Sequence, residues 1–334
     1  MSQKGNGILL TGGAGYIGSH IVKALNQSNT TDVVVFDNLS TGFADSLPSN
    51  VKLIQGDILD AQLIEHVIQK EKIDTVIHLA AKTVIPDSIA RPQDYYQNNT
   101  QGTLNLLRAC VENGVKHFIY SSTAAVYGNI SQDKIDEQSE THPTNPYGYS
   151  KLMSEQILKD IAKQYPLNYI ILRYFNVAGA AIDGSIGQRT PQATHLVKVA
   201  VQTACGLQPT LSIFGNNYST PDGTCVRDFI HVSDLASAHL DALSYLQKGN
   251  ASCILNCGYG HGYSVLEVVK AVEAITHQPL AINFAPPRVG DLPCVIADNS
   301  KIKQVLNWQP QFDDIAVIVK SAWEWEKKLA GEKE

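Results

Sequence analysis

A chain of 334 residues is too long for one small core, so two domains, or one large domain with a lobe, are expected. Apolar residues make up 44% and charged residues 17%, an ordinary globular composition. A net charge of −6 with no long Lys/Arg cluster argues against a general nucleic-acid or membrane-surface binder, and no partner of either kind is expected.

The opening MSQKGNGILLTGG moves directly into a strand and a glycine turn. It lacks the apolar stretch and cleavage site of an export leader, so a cytoplasmic protein is expected. No apolar run of about 18 residues follows anywhere, so no membrane-spanning helix is expected. GILLTG (7–12) is a strand, and a helix is expected near 17–27. Between them lies TGGAGYIG, with Gly12, Gly15 and Gly18 in a GxxGxxG pattern. The first glycine permits a tight turn, the second lets a pyrophosphate approach, and the third allows close helix–strand packing. The helix N-terminus then offers unpaired N–H groups to phosphates.

VVVFDN (33–38) is the second strand. Asp37 lies 19 residues beyond Gly18, where an acid can accept hydrogen bonds from an adenine ribose and repel a 2′-phosphate. NAD is therefore expected over NADP. Asp37 alone would equally suit a turn or a helix cap; the glycines favour the cofactor. VKLIQGD (51–57) is the third strand, ending in Asp57, which could approach the adenine. A helix at 61–71, a strand at 75–81, a helical run from 93 to 112, and strands at 117–122 and 169–176 follow. His78 sits among apolar neighbours and reads as a packing residue. The strands are continuously apolar, as in a parallel sheet covered on both faces. The fold class is α/β, a doubly wound Rossmann-like sheet with a smaller C-terminal domain.

In NPYGYSKLMSEQ (145–156), Asn145 can cap a helix and Pro146 suits its first turn. Tyr147 and Lys151 are then i and i+4 on one face. Tyr149 points about 200° around the helix from Tyr147. A phenol is a poor base at neutral pH, but a nearby ammonium and an oxidised nicotinamide both favour phenolate. Tyr147 could thus take a hydroxyl proton while hydride leaves the same carbon. Thr123 could hold the substrate hydroxyl in place; without Tyr147 and Lys151 it would be an ordinary strand-end residue.

Beyond residue 178 the alternation weakens, and the domain boundary is placed there: 1–178 for NAD and 179–334 mainly for substrate, some later segments returning to the first domain. Helices are expected at HLVKVAVQTACG, at VSDLASAHLDALSYLQKG and at SVLEVVKAVEAIT, with two shorter helices at the end. The six cysteines, Cys110, Cys205, Cys225, Cys253, Cys257 and Cys294, give no dense disulfide framework and no metal-site spacing.

Taken in order, TGGAGYIGSH, FDNLS, GDI, TVIHLAA, NNTQGT, SSTAAVYG, PYGYSKLMSEQ, LRYFNVAGA, IFGNNYSTPDGTCVRDFIHVSDLASAH and the RVGD segment resemble the UDP-glucose 4-epimerase family of extended short-chain dehydrogenases/reductases. The resemblance covers nearly the whole chain. It implies NAD-dependent, reversible C4 epimerisation of UDP-galactose and UDP-glucose through a 4-keto intermediate, usually in a homodimer. It places the catalytic roles at Tyr147, Lys151 and Thr123. The implied cofactor contacts are Gly12, Gly15, Tyr16, Ile17, Gly18, Asp37, Asn38, Asp57, Ile58, Leu79, Ala80, Ala81, Asn98, Asn99 and Ser121, with Tyr147 and Lys151. The implied substrate contacts are Thr123, Tyr147, Asn176, His195, Leu196, Phe214, Arg227, Arg288, Asp291 and Val295. Arg227 and Arg288 suit a diphosphate, which planar guanidinium groups bind with several hydrogen bonds.

The same fold serves UDP-sugar decarboxylases and dehydratases. Related dehydratases carry an Asp-Glu pair directly after the Thr, whereas this chain has Ala124 and Ala125, whose methyl groups transfer no protons. A non-catalytic dinucleotide-dependent binding protein is a further alternative. Two departures stand out. Gly187, Gln188 and Arg189 occupy the place of an acidic Gly-Glu-Asp segment in relatives. Val295 stands at a sugar-pocket position that can carry tyrosine, and its smaller size is expected to admit UDP-GlcNAc and UDP-GalNAc.

Overall fold

A computed structural model describes residues 7–28, 32–130, 132–190, 193–288 and 290–331. The leader-free start expected over residues 1–6 lies outside the described residues, as do Val289 of the RVGD segment and the loop residues Pro191 and Gln192. The chain falls into two compact units. The first comprises Met1–Gly128, Glu140–Arg173 and Ala236–Leu255; the second comprises Asn129–Ser139, Tyr174–Leu235 and Asn256–Glu334.

The first unit is organised on a seven-stranded sheet. Across it run Cys253–Cys257, Asn168–Tyr174, His117–Thr123, Ile73–His78, Gly7–Thr11, Val33–Asp37 and Lys52–Gln55. The four pairings from His117–Thr123 to Lys52–Gln55 are all parallel. Gly7–Thr11 and Val33–Asp37 are buried at every residue, which explains their unbroken apolar sequence. Leu9, Phe36, Val76, Phe118 and Ile171 pack with helix residues such as Ile64, Leu106 and Leu158 in one core. The order reverses on either side of Gly7–Thr11, so the crevice beyond the carboxyl ends of these strands is a topological switch point.

Two helices of the first unit begin where a side chain satisfies a first-turn N–H group. Asp60 accepts from Leu63 N at 3.0 Å and starts the helix Ala61–Lys70. Asn145 Oδ1 accepts from Gly148 N at 2.9 Å, and Pro146 occupies the first turn of Pro146–Gln164. The helix Tyr16–Gln27 has no side-chain cap and no acid in its first turn.

Three segments differ from the sequence expectation. The helical run from 93 to 112 is interrupted: Pro92–Tyr95 and Gly102–Glu112 are α-helical, but Tyr96–Gln101 forms a π-helix. Apolar periodicity does not distinguish the two ladders, which is why the sequence reads as one helix. The expected strand 169–176 divides into Asn168–Tyr174 and a separate Asn176–Ala178, which pairs in parallel with Phe229–His231 in the second unit. The last helix is not short. Ile315–Gly331 spans 17 residues because Ile318, Val319, Ala322 and Trp325 extend a buried stripe at helical spacing.

The second unit also contains the parallel pair Leu211–Phe214 with Ile282–Ala285. A three-stranded sheet places Val226–Arg227 between Tyr263–Ser264 and Cys294–Val295. Buried Asp228 fixes this region: its carboxylate accepts from Tyr259 N at 2.7 Å, Gly260 N at 2.9 Å and Ala297 N at 3.2 Å. None of the six cysteines forms a disulfide. Among the described residues, no helix is long and apolar enough to cross a membrane, and no His/Cys/Asp/Glu group could hold a metal ion.

Candidate active site

The glycine turn has the shape a dinucleotide requires. Gly12 has φ +73°, and a Cβ there would lie 2.6 Å from Ala80 N. A Cβ on Gly18 would lie 2.3 Å from Gly12 O, so helix and turn meet only through glycine. Gly15 differs: a Cβ there would meet only Gly12 O, at 3.2 Å. Protein packing therefore leaves room above Gly15, which is the N-cap of Tyr16–Gln27. Uncapped N–H groups beside open space suit a pyrophosphate.

Asp37, Asn38 and Asp57 follow the ends of neighbouring strands. Asp37 accepts from Ala14 N at 2.9 Å and from Leu39 N at 2.8 Å, so its carboxylate braces the glycine turn. Each oxygen keeps a lone pair that suits a ribose hydroxyl. Asn38 Nδ2 donates to Asp57 Oδ2 at 2.9 Å, and Ile58 is buried beside them. Leu79, Ala80 and Ala81 leave the sheet after His78, with Leu79 N bonded to Thr11 O at 2.9 Å.

The π-helix separates the two asparagines. Asn98 is half-buried, while Asn99 is 1% exposed. The Asn99 amide accepts from Lys82 N at 2.8 Å and donates to Lys82 O at 3.0 Å and Ser150 Oγ at 2.9 Å. It also accepts from Asn98 Nδ2 at 3.0 Å, which uses its full hydrogen-bonding capacity. Its side chain is thus a brace between the Lys82 loop and the residue before Lys151. His78 is a packing residue: its ring bonds Thr11 Oγ1 at 2.6 Å and Thr103 Oγ1 at 2.9 Å, and burial, aided by Lys151, pushes its pKa down to about 3.

Tyr147, Lys151, Thr123 and Ser121 converge. Lys151 is 2% exposed, donates to Ser121 O at 2.8 Å and lies 5.0 Å from the Tyr120 ring centroid. Burial pulls its pKa down to about 7, opposed by the charge of Glu155. Tyr147 keeps some solvent contact but is crowded on all sides, and this desolvation raises its pKa to about 12; a hydrogen bond with Thr123 acts the other way. Its ring meets that of Tyr95 edge-on at 6.5 Å. Tyr149 is 43% exposed on the outer face.

Glu155 carries a buried ion pair that the sequence reading did not single out. Glu155 is four residues beyond Lys151, fully buried, and paired with Arg173 at 2.6 Å. It accepts from Ser122 Oγ at 2.5 Å, next to Thr123. The repeat of four residues from Tyr147 through Lys151 to Glu155 was the available signal.

In the second unit, contacts connect several of the substrate candidates. Arg227 donates to Val226 O at 2.9 Å and Leu292 O at 2.8 Å, lies 3.6 Å from Asp291, and stands in register with Val295. The Arg288 guanidinium lies 3.8 Å from the Phe214 ring centroid. Asn176 is exposed, and its N–H donates to Asp228 O at 2.9 Å. His195 caps the helix Leu196–Ala204, and Leu196 begins it. Asp291 N donates to Arg288 O at 3.1 Å, which links the Arg227–Asp291 pair to the Arg288–Phe214 contact.

Residues 8–258 match the NAD dependent epimerase/dehydratase family. The chain belongs to that family. It is 48% identical over 322 residues to the UDP-glucose 4-epimerase of Azospirillum brasilense, covering 96% of this chain and 92% of that one. The solved UDP-Glc/GlcNAc 4-epimerase of Campylobacter jejuni is 46% identical, with a TM-score of 0.85 over 97% of this chain and 100% of that one. The Bifidobacterium longum UDP-glucose 4-epimerase, solved with NAD+ and UDP, is 37% identical with a TM-score of 0.91, covering 97% and 98%. NAD dependence is thus a property of the family, and the glycine turn fits that cofactor.

Proposed function

We propose that this protein catalyses reversible C4 epimerisation of UDP-hexoses, interconverting UDP-galactose and UDP-glucose. The observation that carries this reading is the convergence of Tyr147, Lys151 and Thr123 in a unit that also carries the glycine turn. NAD would be held by Gly12, Gly15 and the N-terminus of Tyr16–Gln27, by Asp37, Asn38 and Asp57, and by Asn98 and Lys151. When bound, it supplies a reversible hydride acceptor for C4.

Thr123 holds the substrate hydroxyl beside Tyr147, which takes the proton of the C4 hydroxyl as C4 becomes a ketone. The 4-keto hexose then presents its other face, and Tyr147 returns the proton. Lys151, when charged, stabilises the phenolate that exists between those two transfers. Asn176, His195, Leu196, Phe214, Arg227, Arg288 and Asp291 hold the UDP portion, so that only the hexose turns. Ala124 and Ala125 supply no acid for elimination, which favours epimerisation over dehydration. Incubation with UDP-galactose, followed by product identification, tests the reading; formation of UDP-glucose supports it, and a 4-keto-6-deoxy or decarboxylated product contradicts it.

Acceptance of UDP-GlcNAc and UDP-GalNAc belongs to the same proposal. The small Val295 beside Arg227 supports it, as does similarity to an enzyme named for both UDP-Glc and GlcNAc. Val295→Tyr should lower kcat/KM for the N-acetylated sugars at least about tenfold while leaving UDP-galactose within about threefold, because overfilling a pocket costs about 1–3 kcal/mol. Equal losses on all four sugars in steady-state assays would refute the pocket assignment.

The working form in this proposal is a cytoplasmic homodimer. Met153, 46% exposed, lines a shallow groove with Tyr96, Thr100, Gln101 and Leu104, which supports burial against a second copy. Light scattering should give twice the chain mass of 36.4 kDa; the mass of a single chain would contradict it.

A further inference from the structure

The departure at Gln188 has a physical role. Gln188 is only 6% exposed, although it lies in an irregular segment. Its carbonyl accepts from Lys198 Nζ at 2.6 Å and from Trp325 Nε1 at 3.1 Å. Lys198 is itself paired with buried Glu326, which also accepts from Gln202 Nε2 at 3.3 Å. This anchoring aims the Gln188 amide at His195: Nε2 lies 2.8 Å from Nδ1 of the ring. In this orientation the amide nitrogen donates and Nδ1 accepts. The ring proton then belongs on Nε2.

Two further features act in the same direction. His195 is the N-cap of a nine-residue helix, whose positive end disfavours an imidazolium. His195 is exposed by surface area, yet the protein packed around it lowers the imidazole pKa from its ordinary value by desolvation. The charged groups nearby are Lys198 on the same helix, its partner Glu326 on the last helix, and Arg189 beside Gln188. The Lys198–Glu326 pair is internally compensated, and the Glu326 carboxylate is taken up by Lys198 and Gln202.

We propose that Gln188 is a positioning residue that holds His195 as a neutral imidazole protonated on Nε2, presenting a fixed N–H donor to an oxygen acceptor of the nucleotide sugar. The substrate clause rests on the epimerase reading; the tautomer does not. A glutamate at the same place would accept from Nδ1–H and favour the charged ring.

Long-range nitrogen–proton NMR on protein labelled at histidine tests this, with His195→Gln assigning the signal. Near neutral pH, wild-type His195 should show an unprotonated Nδ1 and a protonated Nε2. In Gln188→Glu its titration should move up by about one pH unit or more. KM for UDP-galactose should then follow that titration while kcat does not, and wild-type KM should stay flat over the same range. A wild-type ring protonated on Nδ1, or equal titration in both proteins, overturns the proposal. The nitrogen spectra need no turnover, so failure of the tautomer and failure of the epimerase reading are separate results.

Discussion

Tyr147→Phe should lower turnover of UDP-galactose by about 10²–10⁴-fold, the contribution of a positioned proton-transfer group, while the protein keeps its NAD. Phenylalanine retains the edge-on contact with Tyr95 and the packing of the ring, so the melting temperature should change little. What it removes is the oxygen that bonds with Thr123 and exchanges the proton of the C4 hydroxyl. Tyr149→Phe is the internal control. That hydroxyl lies on the exposed face of the same helix, and its loss should leave turnover within about twofold, as expected for a surface change without partners. Steady-state rates with the absorbance of bound cofactor check both. Equal losses in the two variants would overturn the assignment by helix face.

Lys151→Met should have the second large effect. The unbranched replacement keeps most of the stem but removes the ammonium that donates to Ser121 O and faces the Tyr120 ring. Without that charge, the hydrogen bond with Thr123 is left to oppose the burial that raises the Tyr147 pKa to about 12. Turnover should fall by about 10²–10⁴-fold. Unlike Tyr147→Phe, this variant should also retain less NAD, because Lys151 would bond the cofactor ribose. Lys151→Arg should restore little activity: a planar guanidinium does not replace a compact ammonium in a buried site. Cofactor retention after gel filtration separates the two roles. Full NAD occupancy in Lys151→Met would confine the lysine to the proton-transfer step.

The parts of this molecule that were legible in the sequence are those whose cause is local. Continuous apolar runs gave the buried strands, and the glycine spacing gave the turn where Gly12 meets Ala80. Tyr147 and Lys151 share a face because four residues make roughly one helical turn, and Tyr149 is turned outward for the same reason. Non-local partners were less visible. The different fates of Asn98 and Asn99 follow from a π-helix that periodicity does not reveal. The bond between Gln188 and His195 depends on Lys198 and Trp325, the latter 137 residues away in sequence. The departure at Gln188 was visible, but its consequence was not. The segment Asn129–Ser139 belongs with the second unit because Asn256 bonds Glu137 and Ile135, contacts that no local pattern announces.

The most direct measurement of the central claim is a time course of purified, NAD-loaded protein with UDP-galactose, with every product identified by NMR. The account predicts conversion to an equilibrium mixture of UDP-glucose and UDP-galactose, without net consumption of NAD. Unchanged UDP-galactose, or a product altered anywhere other than in the configuration at C4, would contradict it.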